Sequence, residues 1–280
     1  MSGAEASTPP GLALGGRLVL FGAGKMGGAL LNGWLKLGLD PASVVVRDPA
    51  PPAEVRELVE AQRIALNPPA PAAPAVLVLA IKPQMLDEAR PLIAQEIAAG
   101  TLVVSILAGK TLAGLARGLP AGTAVVRAMP NTPAAIGRGI TVAVANAHVA
   151  PAARAKAEAL LAATGEFAWI DDEALMDAVT AVSGSGPAYV FLLAESLARA
   201  GIAAGLVPAL AERLARATVA GSGALLERSE ESAEALRRAV TSPGGTTAAA
   251  LEVLMSGEGL APLLERAVRA AAARSRALAG

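Results

Sequence analysis

Short, almost purely apolar runs alternate with amphipathic stretches over roughly the first 170 residues. Residues 17–21, 44–46, 75–81, 102–106 and 124–127 are dominated by Val, Leu and Ile. A short run that is apolar at nearly every position predicts a strand buried on both faces. Residues 64–66 add a shorter candidate strand. Between these runs, 25–37, 54–61, 85–98 and 111–118 carry apolar residues at helical spacing, which predicts helices with one buried stripe. Strand and helix in alternation predict a doubly wound, mostly parallel α/β sheet covered on both sides. Two further strands are expected at 140–145 and 167–170, with a helix at 152–163 between them.

After Asp171 the pattern changes. Residues 173–182, 188–204, 208–226, 248–255 and 260–278 read as helices, with no β-rich window between them. This second part is expected to be all-helical. Its helices are apolar over wide arcs, wider than one small bundle buries, so subunit association is the expected remedy. The expected division is a disordered tail at 1–16, a nucleotide-binding domain at 17–170 and a helical domain at 171–280.

Composition narrows the chemistry. Of 280 residues, 54% are hydrophobic and 2% aromatic, so the core must be built from Ala, Leu, Val and Ile. Lys and Arg total 24 and Asp and Glu total 24, which gives no basic surface for nucleic acid or anionic lipid. The absence of Cys excludes disulfides and thiol chemistry and fits a reducing cytoplasm. His148 is the single histidine, so a histidine metal cluster is excluded. No metal site and no membrane span are expected.

The turn Gly22-Ala23-Gly24-Lys25-Met26-Gly27 follows a predicted strand and opens a predicted helix, the context a dinucleotide fingerprint requires. Gly22 permits the tight turn, Gly24 lets a pyrophosphate approach the backbone, and Gly27 lets helix and strand pack closely. The helix N-terminus, with Lys25 and Met26, offers free N–H groups to phosphate. At the end of the second strand stand Arg47 and Asp48, which argue opposite ways. Asp48 suits ribose hydroxyls and repels a 2′-phosphate, whereas Arg47 suits that phosphate. The strand at 75–81 runs into Lys82-Pro83-Gln84, and the strand at 124–127 into Met129-Pro130-Asn131-Thr132-Pro133. Both loops lie where ligands bind, at the carboxyl ends of parallel strands.

The helical part holds two loops of small residues, Ser183-Gly184-Ser185-Gly186-Pro187 and Thr241-Ser242-Pro243-Gly244-Gly245-Thr246-Thr247. Each precedes a helix. Such a loop frees N–H groups for an anion such as a carboxylate, or it is an ordinary helix cap.

Together, GAGKMGGALLNGW (22–34), AIKPQ (80–84), RAMPNTPA (127–134), AVSGSGPAYVF (181–191) and TSPGGTTAAAL (241–251) closely resemble the pyrroline-5-carboxylate reductase family, in order and spacing, from about residue 17 to about residue 269. The resemblance implies a Rossmann domain followed by an all-α dimerisation domain of the 6-phosphogluconate dehydrogenase C-terminal type. It implies hydride transfer from NADPH, or from NADH on account of Asp48, to the C=N bond of 1-pyrroline-5-carboxylate. It implies dimers that interlock through the helical domain and often build decamers. It places the dinucleotide on Gly22, Gly24, Lys25, Met26 and Gly27, with the adenosine ribose near Asn67. The rest of the cofactor lies along Ala80, Lys82 and Pro83, and the nicotinamide near Ala108 and Asn131. It assigns the substrate carboxylate to Ser242 and to Gly244, Gly245 and Thr246, and the ring nitrogen to Thr247, which makes Thr247 and Ser242 the candidate catalytic residues. A hydroxyacid dehydrogenase is the nearest rival, but neither Lys156 nor His148 stands in a motif suited to its acid–base step. A non-catalytic nucleotide sensor would have no use for the loop 241–247.

Overall fold

The structure, a computed structural model, describes residues 12–278. The chain divides into two compact units. One contains residues up to Gly184 and the end of the last helix from Ala273, and the other is Ser185–Ala272. The division falls some fourteen residues beyond the expected 170/171 boundary, because the chain from Glu173 to Gly184 packs as part of the first unit. Residues 1–11 of the expected tail lie outside the described residues. Residues 12–16, expected to belong to it, are seated instead: the Leu12 N–H donates to Leu37 O at 3.2 Å, and Leu14 is buried in the core.

The first unit is built on one eight-stranded sheet: β1 (Leu18–Phe21), β2 (Val44–Arg47), β3 (Ala65–Leu66), β4 (Val76–Leu79), β5 (Leu102–Ser105), β6 (Ala124–Met129), β7 (Gly139–Ala145) and β8 (Gly165–Trp169). Its order is β3-β2-β1-β4-β5-β6-β7-β8. All neighbours pair in parallel except β6 and β7, which pair antiparallel with Arg127 opposite Val144. The central strands β1, β4 and β5 are buried along their whole length, as their unbroken apolar runs require.

Helices cover both faces. On one lie α1 (Lys25–Lys36), α2 (Ala53–Ala61) and α5 (Pro151–Leu161), which pack Leu30, Leu31, Trp34, Val55, Val59 and Leu160 against the sheet. Trp34 is fully buried, and its indole N–H donates to Leu160 O at 2.8 Å, tying α1 to α5. On the other face lie α3 (Leu86–Glu96) and α4 (Leu112–Ala116), through Leu86, Ile93 and Leu115. The strand order reverses between β1 and β4, which places a crevice at the carboxyl ends of those strands.

The expected helix at 173–182 is three short pieces: a 3₁₀ turn at Glu173–Leu175, α6 (Met176–Val179) and a π-helical turn at Thr180–Gly184. Asp172 caps the first piece by accepting from the Ala174 N–H. In the π turn, Thr180 and Ser183 hydroxyls donate back to Met176 O and Val179 O, the back-bonding that loosens a helix.

The second unit holds α7 (Gly186–Ala203), α8 (Pro208–Arg228), α9 (Ala233–Ala239), α10 (Thr246–Leu254) and most of α11 (Leu260–Leu278). α7 and α8 form a helical hairpin, turned at Gly205 (φ +100°), with Pro208 starting the second helix. Among the described residues, the apolar side chains buried here are all alanine: Ala198, Ala211, Ala215 and Ala272. Phe191, Leu192, Val207, Leu214, Val253 and Leu263 are exposed. The unit therefore has no core of large side chains of its own.

Candidate active site

The carboxyl ends of β1 and β4 meet at the glycine turn. The Ala80 N–H donates to Phe21 O at 2.7 Å, so the residue after β4 lies directly against the turn after β1. Gly22 takes φ +87°, and a Cβ there would sit 2.7 Å from the Ala80 carbonyl. A Cβ on Gly27 would sit 2.2 Å from Gly22 O. Both positions require glycine to close the turn. Gly24 is different: a Cβ there would meet nothing within 4 Å. The bare side of the turn therefore faces open space. Gly24 is also the N-cap of α1 and supplies no side-chain cap, so the first N–H groups of the helix are left for another acceptor. A backbone with unspent donors and no side chain in the way fits a pyrophosphate.

Asp48, beyond the end of β2, braces this turn. Its carboxylate accepts from the Ala23 N–H at 2.7 Å and from the Ala50 N–H at 2.9 Å. Asn67, with φ +48°, clamps the Asp48 backbone from both sides: its amide donates to Asp48 O at 2.7 Å and accepts from the Asp48 N–H at 3.0 Å. Arg47 behaves otherwise. Its guanidinium is drawn away to Glu96 (2.8 Å from Nε), to Ala70 O (2.8 Å) and to Pro68 O. Glu96 is 4% exposed and also accepts from the Ala72 N–H at 2.6 Å. Arg47 thus staples the proline-rich crossover between β3 and β4 to the end of α3.

Ala108 is exposed on the loop after β5, and Lys82 and Pro83 follow β4, with Lys82 exposed. Asn131 follows β6. Its carbonyl oxygen accepts from the Ile140 N–H at 3.0 Å and its amide donates to Ser183 O at 3.2 Å, so it fastens the loop after β6 to the π turn. A partly buried ion pair reinforces the same region: Arg127 donates to Glu173 at 2.8 Å, and Glu173 also accepts from the Leu112 N–H at 2.7 Å. Neither Glu96 nor Glu173 stands in a local motif, and only the fold reveals their roles.

The second group of expected residues lies in the second unit, on the turn between α9 and α10. Gly244 has φ +69°, and the Gly245 N–H donates to Ser242 O at 3.1 Å. Gly245 is the N-cap of α10 and offers no side-chain cap. Ser242, Thr246 and Thr247 are exposed, and none of their hydroxyls makes a hydrogen bond among the described residues. The turn is therefore an open anion cradle at a helix N-terminus, ringed by free hydroxyl donors.

A reductase from Pseudomonas aeruginosa, named pyrroline-5-carboxylate reductase, is 40% identical over 267 residues, spanning 94% of this chain and 97% of that protein. The chain belongs to the pyrroline-5-carboxylate reductase family. This is a family of oxidoreductases acting on a carbon–nitrogen bond. The family model described as pyrroline-5-carboxylate reductase dimerisation matches residues 173–278, and one described as NADP oxidoreductase coenzyme F420-dependent matches residues 17–109. The pyrroline-5-carboxylate reductase of Synechocystis is 47% identical over 206 residues, 72% of this chain and 74% of that one. A pyrroline-5-carboxylate reductase structure from Coxiella burnetii superposes with a TM-score of 0.85 at 32% identity, covering 95% of this chain and 99% of that one. A Plasmodium falciparum pyrroline carboxylate reductase with NADP bound superposes with a TM-score of 0.78 at 27% identity, over the same shares of the two chains. The family and fold expected from the sequence, a Rossmann sheet followed by an all-helical dimerisation domain, are thereby borne out.

In this family setting Gly24 and Gly27 predict distinguishable variants. Gly24→Val should leave thermal stability near wild type, because the added atoms enter open space. It should weaken dinucleotide binding by about 1–3 kcal/mol, roughly 5- to 150-fold, because those atoms stand where the pyrophosphate approaches. Gly27→Ala should lose stability as well as binding. Calorimetric titration with NADH, paired with a melting curve, separates the two, and unchanged affinity in Gly24→Val would remove the turn from the binding site.

Proposed function

We propose that the chain is a cytoplasmic pyrroline-5-carboxylate reductase that reduces the C=N bond of 1-pyrroline-5-carboxylate to give L-proline, the last step of proline biosynthesis, and that it uses NADH in preference to NADPH. The observation that carries this reading is a pair of glycine turns, each opening a helix that has no side-chain cap, in one chain of this family. One is bare at Gly24, at an uncapped helix N-terminus, and suits a pyrophosphate. The other, at Ser242 to Thr247, is rich in hydroxyls and suits a carboxylate.

On this reading Gly22, Gly24, Lys25, Met26 and Gly27 hold the pyrophosphate, Ala80, Lys82 and Pro83 flank the cofactor, and Ala108 and Asn131 lie at its nicotinamide end. The reduced nicotinamide, when bound, supplies the hydride that adds to the imine carbon. The Ser242 hydroxyl and the N–H groups of Gly244 and Thr246 hold the substrate carboxylate, against the bare backbone of Gly245, whose own N–H closes the turn onto Ser242 O. The Thr247 hydroxyl hydrogen-bonds the ring nitrogen and orients the ring. A protonated cyclic imine is already electrophilic, so the protein's task is placement, which in favourable cases contributes on the order of 7–11 kcal/mol.

Two features support NADH. Arg47, the cation best placed in sequence to pair with a 2′-phosphate, is committed to Glu96 and two carbonyls. Asp48 brings a carboxylate to the ribose end of the turn. Self-association through the second unit, as a dimer, belongs to the same reading and is supported by its exposed leucines and valines and its alanine-only interior. The test is oxidation of NADH and of NADPH with 1-pyrroline-5-carboxylate. The expected kcat/KM is about tenfold higher with NADH, the effect of one unfavourable charge contact. No oxidation of either cofactor would end the activity reading. Equal or better use of NADPH would end only the cofactor preference.

A further inference from the structure

On the α3–α4 face of the first unit, Asp87, Arg90, Lys110, Thr111, Gly114 and Arg117 line a cavity of about 280 Å³. Three of these side chains are cationic and one is anionic. Arg90 is fully committed: its Nε donates to Asp87 at 2.8 Å, and its two terminal nitrogens donate to Arg117 O at 2.5 Å and Gly114 O at 3.0 Å. It forms a floor that joins α3 to the middle and the C-terminal end of α4. The Thr111 oxygen accepts from the Gly114 N–H at 3.0 Å, and its own proton stays available. Lys110 and Arg117 are not so engaged. Neither the ammonium nor the guanidinium has a hydrogen-bond or ion-pair partner among the described residues. Asp87 is held below the usual carboxylate range by Arg90 first, with smaller pulls from Lys110 and Arg117. The carboxylate therefore stays ionised and neutralises one cation, which leaves two positive charges facing the cavity unmatched.

From this geometry we infer that the cavity is a second anion site, separate from the glycine turn, which takes a small phosphate-bearing anion of diphosphate size between Lys110 and Arg117. The volume admits more than one phosphoryl group. Two unpartnered cations and a free hydroxyl donor supply complementary contacts, and charge-assisted bonds of this kind are the strong class. Nothing in the inference depends on the proposed reductase activity. It rests on the cavity and its charges alone.

The test is calorimetric titration of the whole protein with inorganic pyrophosphate, in phosphate-free buffer at low ionic strength, where surface electrostatics are least screened. The titration is run with and without saturating NADH, so that the glycine turn is filled in one arm. Saturable binding at one site per chain is expected with NADH bound, and the same site, beside whatever the open glycine turn takes up, without it. Lys110→Ala and Arg117→Ala should each weaken it about tenfold, the loss of one charge-assisted contact. Both leave the backbone atoms that hold Arg90 in place. Asp87→Asn should tighten binding, because it removes the one negative charge in the cavity, an effect no merely structural role produces. Gly24→Val should leave the affinity of this cavity unchanged. Three outcomes overturn the site: no saturable binding up to about 10 mM, wild-type affinity in Lys110→Ala/Arg117→Ala, or complete competition by NADH. The last would assign the anion to the glycine turn.

Discussion

Thr247→Ala should lower turnover on the order of 10²-fold while leaving the affinity for NADH unchanged. Thr247 is the second residue of α10, exposed, with no side-chain role in capping that helix. Alanine is the strongest helix former, so the substitution leaves α10 intact. What it removes is the hydroxyl assigned to the ring nitrogen. If placement supplies most of the acceleration, loss of one orienting contact lets the imine carbon drift, and a displacement of about 1 Å costs about 10²-fold. The carboxylate contacts of Ser242 and of the Gly244 and Thr246 N–H groups survive, so KM should change much less than kcat. Ser242→Ala should do the reverse and raise KM more than it lowers kcat, because a carboxylate contact binds ground state and transition state alike. Wild-type turnover in Thr247→Ala would refute its role at the nitrogen. Loss of NADH affinity would show that the variant damages more than the substrate cradle.

These expectations come from residues visible in the sequence, and the reason is local. Gly22 and Gly27 are required by an atom a few residues away or by one just past the neighbouring strand, and Gly24 by the space it leaves open. The spacing Gly22, Gly24, Gly27 thus carries the geometry almost by itself. The same holds for β1 and β4, whose unbroken apolar runs follow from burial on both faces, and for the Val-rich starts of β2, β5 and β6. The antiparallel setting of β7 was legible only through a length. The connection 130–138 is too short for the crossover helix that a parallel neighbour needs, and it forms a 3₁₀ turn instead. Helix α9 escapes the pattern because at seven residues it has no amphipathic period to detect; only its cap, with Ser232 accepting from the Ala235 N–H, announces it. The division between the units is displaced because the chain from Glu173 to Gly184 packs with the first unit, and no hydropathy pattern records that. Arg47 is the sharpest case. Beside Asp48 it reads as a phosphate ligand. Its partner Glu96 lies 49 residues away on another element, so its commitment is invisible until the crossover 67–75 is folded over the sheet.

That commitment predicts a stability effect larger than any effect on cofactor choice. Glu96 is buried, and its carboxylate is shared between Arg47 and the Ala72 N–H. Arg47→Met leaves that carboxylate with a single N–H donor and no cation. Glu96→Ala leaves a largely buried guanidinium facing carbonyls alone. Breaking one side of a buried ion pair costs about 3–5 kcal/mol, because the remaining charge keeps its desolvation penalty. Each single variant should therefore unfold at markedly lower denaturant. Arg47→Met/Glu96→Gln should recover part of the loss, since no lone charge is then buried. The comparison must be made at one protein concentration, because association would add its own stabilisation. The ratio of NADH to NADPH use in folded Arg47→Met should equal that of the wild type. A variant of unchanged stability that selectively loses NADPH would place the guanidinium at the 2′-phosphate after all, and the staple between the crossover and α3 would have to be abandoned.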